Sequence, residues 1–461
     1  MCLDDNVVAK QGAPMTRTAA STTSRRDFLK VAGGAAAFGP FFLFPDRALA
    51  SQKTLKIAKW AHFLPEFDQW FVNVLAKEWG QKNDTKVTVD VLPVEEVHTR
   101  AAAEVKVGKG HDVFMFPWPP AEFYQHVIDH GEVYQTVGAK YGQIDRLAYR
   151  STFNLKNKDY FAFAFADSWI PAPFLYFEDY WSQINIPFGP GHWDGLRSGS
   201  KRLREKLGIP CGLTLTPTLE GNITLHTLLY AFTSFVLDAS GNAAINNART
   251  AVALDYVKYL YQDAGTPEQL TWGLAGNVKA MLARKTSCTI NSISLLRAAE
   301  KQDPEVAKKI MITPPLKGSN SVAAVPHVTN CSVVWRFARN QDGGKKFLAD
   351  LIDSSKTGYE QSKGCNFPFY QKTVPDLVVR LANDPKADPV GKYGALKDAL
   401  HWTHNLGVPG PASPAFMEAF NTFVVPRMFL SVAKGERSSI DAINMATAEV
   451  QRIVDKWKQI S

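Results

Sequence analysis

The sequence predicts an α/β protein of two lobes, in which mixed sheets are flanked by helices. Between residues 54 and 116, three strand patterns alternate with two helical patterns, as in parallel strands joined by crossover helices. The chain has 461 residues, more than one hydrophobic core normally serves, which favours two lobes over one. Hydrophobic residues make up 45% and charged residues 21%, the balance of a water-soluble globular protein.

The first fifty residues have the pattern of an export signal. The sequence SRRDFLK at 24–30 is followed by an apolar run at 31–44 and by the small-residue sequence A-L-A at 48–50. The paired arginines resemble those of a twin-arginine signal peptide, which a translocon reads on cargo that is already folded. We assign residues 1–50 to such a signal peptide and expect the remaining 411 residues in the periplasm. Translation from Met1 and translation from Met15 both fit this pattern.

The charge excludes one class of partner, and the cysteines leave the redox state open. The first fifty residues hold six basic and four acidic side chains, so the net charge of +8 becomes +6 in the remainder. The basic residues form no long block, which argues against a nucleic-acid partner. Four cysteines remain after cleavage, and sequence does not choose among their three possible disulfide connectivities. They are Cys211, Cys288, Cys331 and Cys365.

Three strands and two helices are predicted at the start of the exported chain. Residues 54–61 and 86–92 alternate apolar with polar side chains, and 112–116 is a Gly-bounded apolar run. Apolar residues recur at helical spacing between 67 and 79, and a second helix is expected at 95–107.

Side chains that follow these strands are the first candidates for a binding site. In parallel sheets, ligands bind beyond the carboxyl ends of the strands. Trp60, His62 and Phe63 lie at or after the end of the first strand, and Trp118 follows the third. We therefore expect these four side chains at the mouth of one crevice.

The rest of the chain crosses to a second lobe and returns. Residues 159–176 alternate aromatic with small side chains around a polar break, which suggests a crossover. The predicted lobes are residues 51–163 with 330–354, and residues 164–329 with 355–461. Further strands are expected at 211–217, 287–291, 309–314 and 330–337, and helices at 220–236, 246–262, 278–281, 343–351 and 418–430.

Several short segments carry a family resemblance. FEDYW at 177–181 stands where the family has an aromatic-Asn-Lys-Asp stretch, and WDGL at 193–196 matches its Trp-Asp/Glu-x-Leu helix start. GNVKAM at 276–281 and GERSSIDA at 435–442 match two further segments. In this order and spacing they resemble the extracellular solute-binding proteins, family 1, of ABC importers. The resemblance implies the two-lobed type II periplasmic binding protein fold, with a ligand cleft between lobes that close on a hinge.

The chain departs from this family at two places that often contact sugar. Ser292, Ile293 and Ser294 stand where sugar-binding members often have a stacking tryptophan. In the predicted helix 418–430, where another stacking aromatic is common, Phe420 and Phe423 flank Thr422. These departures leave the identity of the ligand open.

The resemblance also implies a function and its partners. It predicts a monomeric periplasmic protein that binds a sugar, oligosaccharide or polyol and delivers it to an ABC transporter permease in the inner membrane. The twin-arginine translocon would be a partner during export. Two alternatives stay open: an exported enzyme that acts on carbohydrate, and a binding protein for a non-sugar solute such as a polyamine or a metal complex.

Sugar recognition requires flat apolar rings and planar polar groups, because sugars present C–H faces and a rim of hydroxyls. Tryptophans near strand ends or in polar loops supply the first, and asparagines in turns supply the second. Core packing is the alternative for each aromatic residue, and a turn or helix cap is the alternative for each asparagine. The candidate ligand-binding residues are Trp60, His62, Phe63, Trp118, Trp169, Asn222, Trp272 and Asn291.

Metal, cofactor and catalytic signals are weak. Glu122, His126 and His130 are spaced four residues apart, and His401 and His404 three apart, but helical spacing alone does not assemble three or four converging ligands. No G-x-G-x-x-G follows the first strand, and Walker, H-E-x-x-H, C-x-x-C and G-x-S-x-G motifs do not occur. We expect no bound metal, no cofactor and no catalytic residues.

Overall fold

A computed structural model describes residues 53–167, 173–318, 325–327 and 329–460. The predicted signal peptide and Trp169 lie outside these residues. In chain order the strands are β1 (Lys53–Trp60), β2 (Thr85–Leu92), β3 (Val113–Phe116), β4 (Phe153–Asn154), β5 (Asp159–Tyr160), β6 (Phe163–Asp167), β7 (Phe174–Phe177), β8 (Cys288–Ile290), β9 (Ile310–Thr313), β10 (Val325–Pro326), β11 (Thr329–Val334), β12 (Phe367–Pro368) and β13 (Thr403–His404).

The α-helices of the described residues surround these strands. They are α1 (Pro65–Trp70), α2 (Ala76–Lys82), α3 (Val97–Val107), α4 (Gly131–Tyr141), α5 (Arg146–Thr152), α6 (Glu178–Ser182), α7 (Trp193–Leu207), α8 (Leu219–Ala231), α9 (Ala248–Ala264), α10 (Gly276–Leu282), α11 (Ser294–Gln302), α12 (Pro304–Lys309), α13 (Gln341–Leu351), α14 (Ser355–Gln361), α15 (Leu377–Ala382), α16 (Ala399–Trp402), α17 (Pro414–Asn421), α18 (Val424–Ala433) and α19 (Ser439–Ile460).

The larger sheet has six strands in the order β12-β6-β11-β3-β1-β2. β1 pairs in parallel with β2 and with β3, which confirms the parallel pairing predicted for the first three strands. Ile57 of β1 is opposite Val89 on one side and Val113 on the other. β11 pairs antiparallel with β3 and with β6, so the sheet is mixed as predicted.

The smaller sheet has three antiparallel strands in the order β8-β7-β9. All four residues of its central strand, β7, are buried, which explains the continuous aromatic and apolar run Phe-Leu-Tyr-Phe. β6 lies mostly, and β12 wholly, within the predicted second lobe. Both strands nevertheless pair in the larger sheet. The predicted lobe boundaries stay a prediction.

The strand predicted at 211–217 is wrong, because this segment has no regular secondary structure. One backbone bond links it to β8, from the N–H of Gly212 to the carbonyl of Cys288 at 3.0 Å. Side chains take up its carbonyl groups instead. The Gln269 amide donates to the carbonyls of Cys211 and Leu213, and the Thr289 hydroxyl donates to that of Gly212. These side-chain hydrogen bonds take the place of the backbone ladder that a strand would form with β8.

The helix predicted at 418–430 is broken into α17 and α18. Phe423, between them, has φ of 57° and ψ of 37°, in the left-handed region that non-glycine residues rarely adopt. Pro426, in the first turn of α18, marks this break in the sequence, because proline is tolerated at a helix start but not in a helix interior. The break brings Phe420 and Phe423, on either side of Thr422, to the wall of a cleft described below.

The largest core lies beneath both the larger sheet and helix α8. Every residue of α8 is buried, which is why its sequence lacks a polar face. Phe114, Phe116 and Trp335 pack together on the sheet, with ring centroids 4.9 to 6.3 Å apart. Within the described part of the chain, none of the helices has the length and apolar character needed to cross a membrane.

Candidate functional site

A cleft of about 350 Å³ opens between the carboxyl ends of β2 and β3 and a group of helix ends from later in the chain. Its first wall comes from the residues after β2, the start of α3 and the loop after β3. Its second wall comes from the first turn of α8, the loop before α10, and the break between α17 and α18. The walls include Val94, Glu95, His98, Thr99 and Trp118 on one side, and Thr218, Asn222, Leu274, Phe420, Asn421 and Phe423 on the other.

A hydrogen-bonded cluster joins the two walls at one end of this cleft. The Trp118 indole N–H donates to Oδ1 of Asn421 at 3.0 Å. The amide of Asn421 donates to Oε1 of Glu122 at 2.9 Å, and Nδ1 of His98 lies 2.7 Å from the same oxygen. These contacts fix the rotamers of all four side chains, although Asn421 lies 303 positions from Trp118 in sequence.

Two polar atoms of this cluster are buried without a hydrogen-bond partner among the described residues. They are Nε2 of His98 and Oε2 of Glu122. Leaving a buried donor or acceptor unpaired costs about 1–3 kcal/mol, so natural proteins rarely do so without a reason. His98 lines the cleft, and a ligand hydroxyl that reached its Nε2 would supply the missing partner.

Asn222 occupies the second wall at the first turn of α8. Its amide donates to the carbonyl of Phe420 at 2.8 Å, while its Oδ1 is buried and has no partner in the described part of the chain. Thr218 caps the helix by accepting a hydrogen bond from the N–H of Gly221 at 3.2 Å. The amide of Asn222 therefore holds α8 against α17 and leaves one acceptor unsatisfied.

Aromatic rings form the apolar part of the cleft. Trp118 is 9% exposed, and its ring centroid lies 5.8 Å from that of Phe420. Phe423 is half-buried beside them. Rings at these angles offer both faces and edges, which suits the C–H faces of a sugar or polyol.

Glu220 is buried next to the second wall, in the first turn of α8. Burial raises the pKa of its carboxyl from 4.5 to about 7. Its Oε1 accepts a weak hydrogen bond from the N–H of Ala275 at 3.4 Å, and its Oε2 has no partner among the described residues. Glu220 does not itself line the cleft.

Two of the predicted site residues, Trp118 and Asn222, line this cleft. Trp60, His62 and Phe63 form a ring cluster outside it, with centroids 5.2 to 6.1 Å apart. Their predicted contact with ligand stays a prediction.

His62 is bonded on both sides of its ring. Its Nδ1 accepts from the N–H of Leu64 at 3.0 Å, which leaves Nε2 to donate to Oδ1 of Asn366 at 3.1 Å. Burial lowers the pKa of His62 to about 3, so the ring is neutral at ordinary pH. Both ring nitrogens are used within the protein.

The remaining predicted residues lie at other places. Trp272 is half-buried, and its carbonyl accepts from the Thr216 hydroxyl at 2.7 Å. Asn291 is buried after β8, where its Oδ1 accepts from the N–H of Ser292 and its Nδ2 has no partner in the described part. Trp169 lies outside the described residues.

Sequence reasoning missed His98 and Asn421, which complete the bonded cluster. His98 is the second residue of α3, where only its position after the second strand could have indicated it. The spacing in sequence groups Glu122 with His126 and His130 on one helix, but Glu122 belongs to a 3-10 helix, Ala121–His126, and α4 begins only at Gly131. Among the described residues, no group of three or more His, Cys, Asp or Glu side chains could hold a metal ion.

Solved structures with a similar architecture include several proteins that bind sugars. A sugar transporter protein from Arthrobacter chlorophenolicus A6 with bound laminaribiose matches with a TM-score of 0.73 and 13% identity, over 87% of this chain and 99% of that chain. An ABC transporter solute-binding protein from Thermotoga lettingae TMO with α-D-tagatose gives 0.71 and 18%, over 87% and 100%. Maltose-bound MalE3 of T. maritima matches with a TM-score of 0.70 and 16% identity, over 87% of this chain and 99% of that chain. This chain has the fold of these proteins.

These similarities are structural. No protein-family model matches the sequence, and no curated protein matches it significantly. The predicted α/β fold, with mixed sheets flanked by helices, is confirmed.

Proposed function

We propose that this chain is the solute-binding component of an ABC importer and that it holds a neutral sugar, oligosaccharide or polyol in the cleft beside Trp118. The observation that carries the proposal is the composition of this cleft. It combines aromatic rings from Trp118, Phe420 and Phe423 with buried polar atoms, on His98 and Asn222, that have no hydrogen-bond partner within the described residues. A ligand with C–H faces and hydroxyl groups satisfies both.

The charges around the cleft favour a neutral ligand over an anionic one. No lysine or arginine is among the described residues that line it, whereas Glu95 lines it and Glu122 lies behind His98. The internal segments outside the described residues, 168–172, 319–324 and residue 328, contain no charged residue in sequence. A carboxylate or phosphate on the ligand would therefore lose its water without gaining a cation.

The solved structures of similar fold support the same proposal. Proteins of this architecture were solved with tagatose, laminaribiose and maltose bound. The sequence pattern at residues 24–50 supports export by the twin-arginine route, which would place a folded monomer in the periplasm. Both lobes of the closed, loaded protein would then dock on a permease in the inner membrane.

An exported carbohydrate-active enzyme is less consistent with the site. Such enzymes use two carboxyl groups that flank the bond to be cleaved. Glu220 has a raised pKa, but it does not line the cleft and packs against the N–H of Ala275. We infer binding without turnover.

Calorimetry and thermal melting on the chain without residues 1–50 test this proposal. The panel contains neutral mono- and disaccharides, polyols, uronic acids, amino sugars and polyamines. We expect a neutral sugar or polyol to raise the Tm and to be recovered unchanged after incubation. Trp118→Ala should reduce the shift, while Tyr259→Ala, which removes an exposed ring on α9 away from the cleft, should retain it.

Three outcomes would contradict parts of the proposal. Formation of a cleaved or altered sugar would favour the enzyme. A uronic acid that binds as tightly as its neutral parent would contradict only the preference for a neutral ligand. A Tm shift only with polyamines would favour the non-sugar alternative.

A further inference from the structure

We propose that Cys211 and Cys288 form a disulfide bond when the protein is exposed to an oxidising compartment. Their sulfur atoms lie 3.6 Å apart, and both side chains are buried. Cys331 and Cys365 are also buried. Within the described residues, the sulfur atom of neither one contacts the sulfur of another cysteine. Of the pairings that sequence leaves open, the structure thus singles out one.

The backbone brings these two cysteines together. The irregular segment that contains Cys211 lies against β8, with the N–H of Gly212 bonded to the carbonyl of Cys288 at 3.0 Å. The N–H of Ser287 donates to the carbonyl of Pro210 at 2.8 Å, so bonds flank the pair on both sides. A Cβ at residue 212 would lie 2.6 Å from the Cys288 carbonyl oxygen, which explains why glycine is needed at this close approach.

The two thiols differ in how readily they ionise. A hydrogen bond from the Cys288 thiol lowers the pKa of Cys211, whereas burial raises the pKa of Cys288. Either thiol attacks an oxidant once it is ionised and accessible, since the thiolate is the nucleophile. The other thiol is then in place to attack the sulfur of the mixed disulfide.

A disulfide oxidant balances the reaction, for example glutathione disulfide or an exported thiol–disulfide oxidoreductase. The thiolate of one cysteine attacks one oxidant sulfur, and the oxidant S–S bond breaks to release one thiolate. The thiolate of the other cysteine attacks the sulfur of the first cysteine and releases the second oxidant thiolate. The new S–S bond joins Cys211 to Cys288, and the two released thiolates carry away the electron pair and take up the two protons.

Access to Cys211 is restricted in the folded protein. The cavity beside it is about 10 Å³ and is lined by Leu215, Tyr261, Gly265 and Gln269. This holds at most about one water molecule and cannot admit an oxidant. The bond must therefore form before folding is complete or during local opening of the segment around Cys211.

The proposed bond would also fix one wall of the cleft. The segment from Cys211 leads directly to Thr218, the N-cap of α8, and then to Asn222. Few backbone bonds hold this segment to its neighbours, so a covalent link to β8 would limit its movement. This consequence, unlike the bond itself, rests on the proposed function.

Alkylation and mass spectrometry test the linkage without any ligand. The reduced chain lacking residues 1–50 is refolded in a glutathione redox buffer, quenched with acid, unfolded, alkylated without reductant and digested. We expect alkyl groups on Cys331 and Cys365 only, together with one linked peptide pair containing Cys211 and Cys288. Reduction should restore four alkylation sites and lower the Tm by several degrees.

Cys331→Ser and Cys211→Ser are the matched variants. Cys331→Ser should retain the linked pair, and the Tm of Cys211→Ser should be insensitive to reductant. Folded, reduced protein should oxidise with glutathione disulfide many-fold more slowly than protein in urea. Four free thiols after oxidative refolding, or a linked pair that includes Cys331 or Cys365, would overturn the proposal. Equal rates with and without urea would overturn the restriction on access.

Discussion

The Trp118 indole stacks on the His98 imidazole, with ring centroids 5.1 Å apart and planes only 13° from parallel. The Trp118 N–H is bonded to Asn421, and the His98 ring is bonded to Glu122. Each ring is therefore held by its polar edge as well as by its face. The aromatic rings of the cleft are thus held in place by contacts within the protein, which would reduce the entropy cost of binding the proposed ligand.

Trp118→Ala should lower the affinity for the best sugar in the panel by at least about tenfold. It removes a ring whose stacking is worth roughly 0.5–1.5 kcal/mol beyond the area it buries. Trp118→Phe is the matched control, since it keeps a ring but loses the N–H that bonds to Asn421. We expect an intermediate affinity by calorimetry, and equal affinities for Ala and Phe would contradict the stacking role.

Asn421→Asp should destabilise the protein in a pH-dependent way. The substitution places a second carboxylate where the Asn421 amide now donates to Glu122 at 2.9 Å. Two carboxylates at that distance cannot both ionise easily, so the pKa of one must rise in the folded state. The variant should be less stable than wild type at pH 7, by about 1–3 kcal/mol, and the difference should shrink as the pH falls toward 4. Urea unfolding at several pH values measures this; a pH-independent difference would argue against the contact with Glu122.

Glu220→Gln should stabilise the protein at alkaline pH. The folded pKa of about 7 lies above the ordinary 4.5, so the folded state binds the extra proton between these values. The penalty for ionising Glu220 is absent below about pH 4.5, grows as the pH rises, and is complete above about pH 7. Glutamine carries no charge and keeps the acceptor for Ala275.

The expected gain for Glu220→Gln is on the order of 3 kcal/mol at pH 8, at about 1.36 kcal/mol per pKa unit, and close to zero at pH 4.5. Guanidinium unfolding of both proteins at these two pH values checks it. Glu205→Gln is the control, because that side chain is exposed on α7 and is not among the groups that shift the pKa of Glu220. A constant stability difference across pH would show that Glu220 titrates normally.

The parts of the fold that could be predicted are those with a regular pattern. The strands β1 and β2 followed from alternation and β3 from a Gly-bounded apolar run, and their parallel pairing followed from the intervening helices. The same rule brought Trp118 to the cleft, because a side chain after a parallel strand lies at the ligand edge of a sheet. The segment at 211–217 has an apolar pattern like these strands, but Gln269 and Thr289 supply its hydrogen bonds.

The rest of the site depends on contacts between distant residues. Asn421 meets Glu122 across 299 positions and Asn222 meets Phe420 across 198, and no local pattern encodes either pair. Trp60 and His62 follow a parallel strand just as Trp118 does, yet His62 is turned toward Asn366, 304 positions away. The strand-end rule therefore locates the edge of the sheet but not which side chains reach the cleft.

Phe423→Gly and Phe423→Ala should separate backbone strain from ligand contact. Phe423 has φ of 57° at the break between α17 and α18, a conformation that costs a non-glycine residue about 1–2 kcal/mol. Both variants lose the ring that lines the cleft, so both should bind the best sugar several-fold more weakly. Only glycine relieves the strain, so Phe423→Ala should be less stable than Phe423→Gly by about 1 kcal/mol in urea unfolding. If alanine proved the more stable of the two, the left-handed conformation would be absent in solution. If both variants kept full affinity, Phe423 would belong to the scaffold and not to the ligand site.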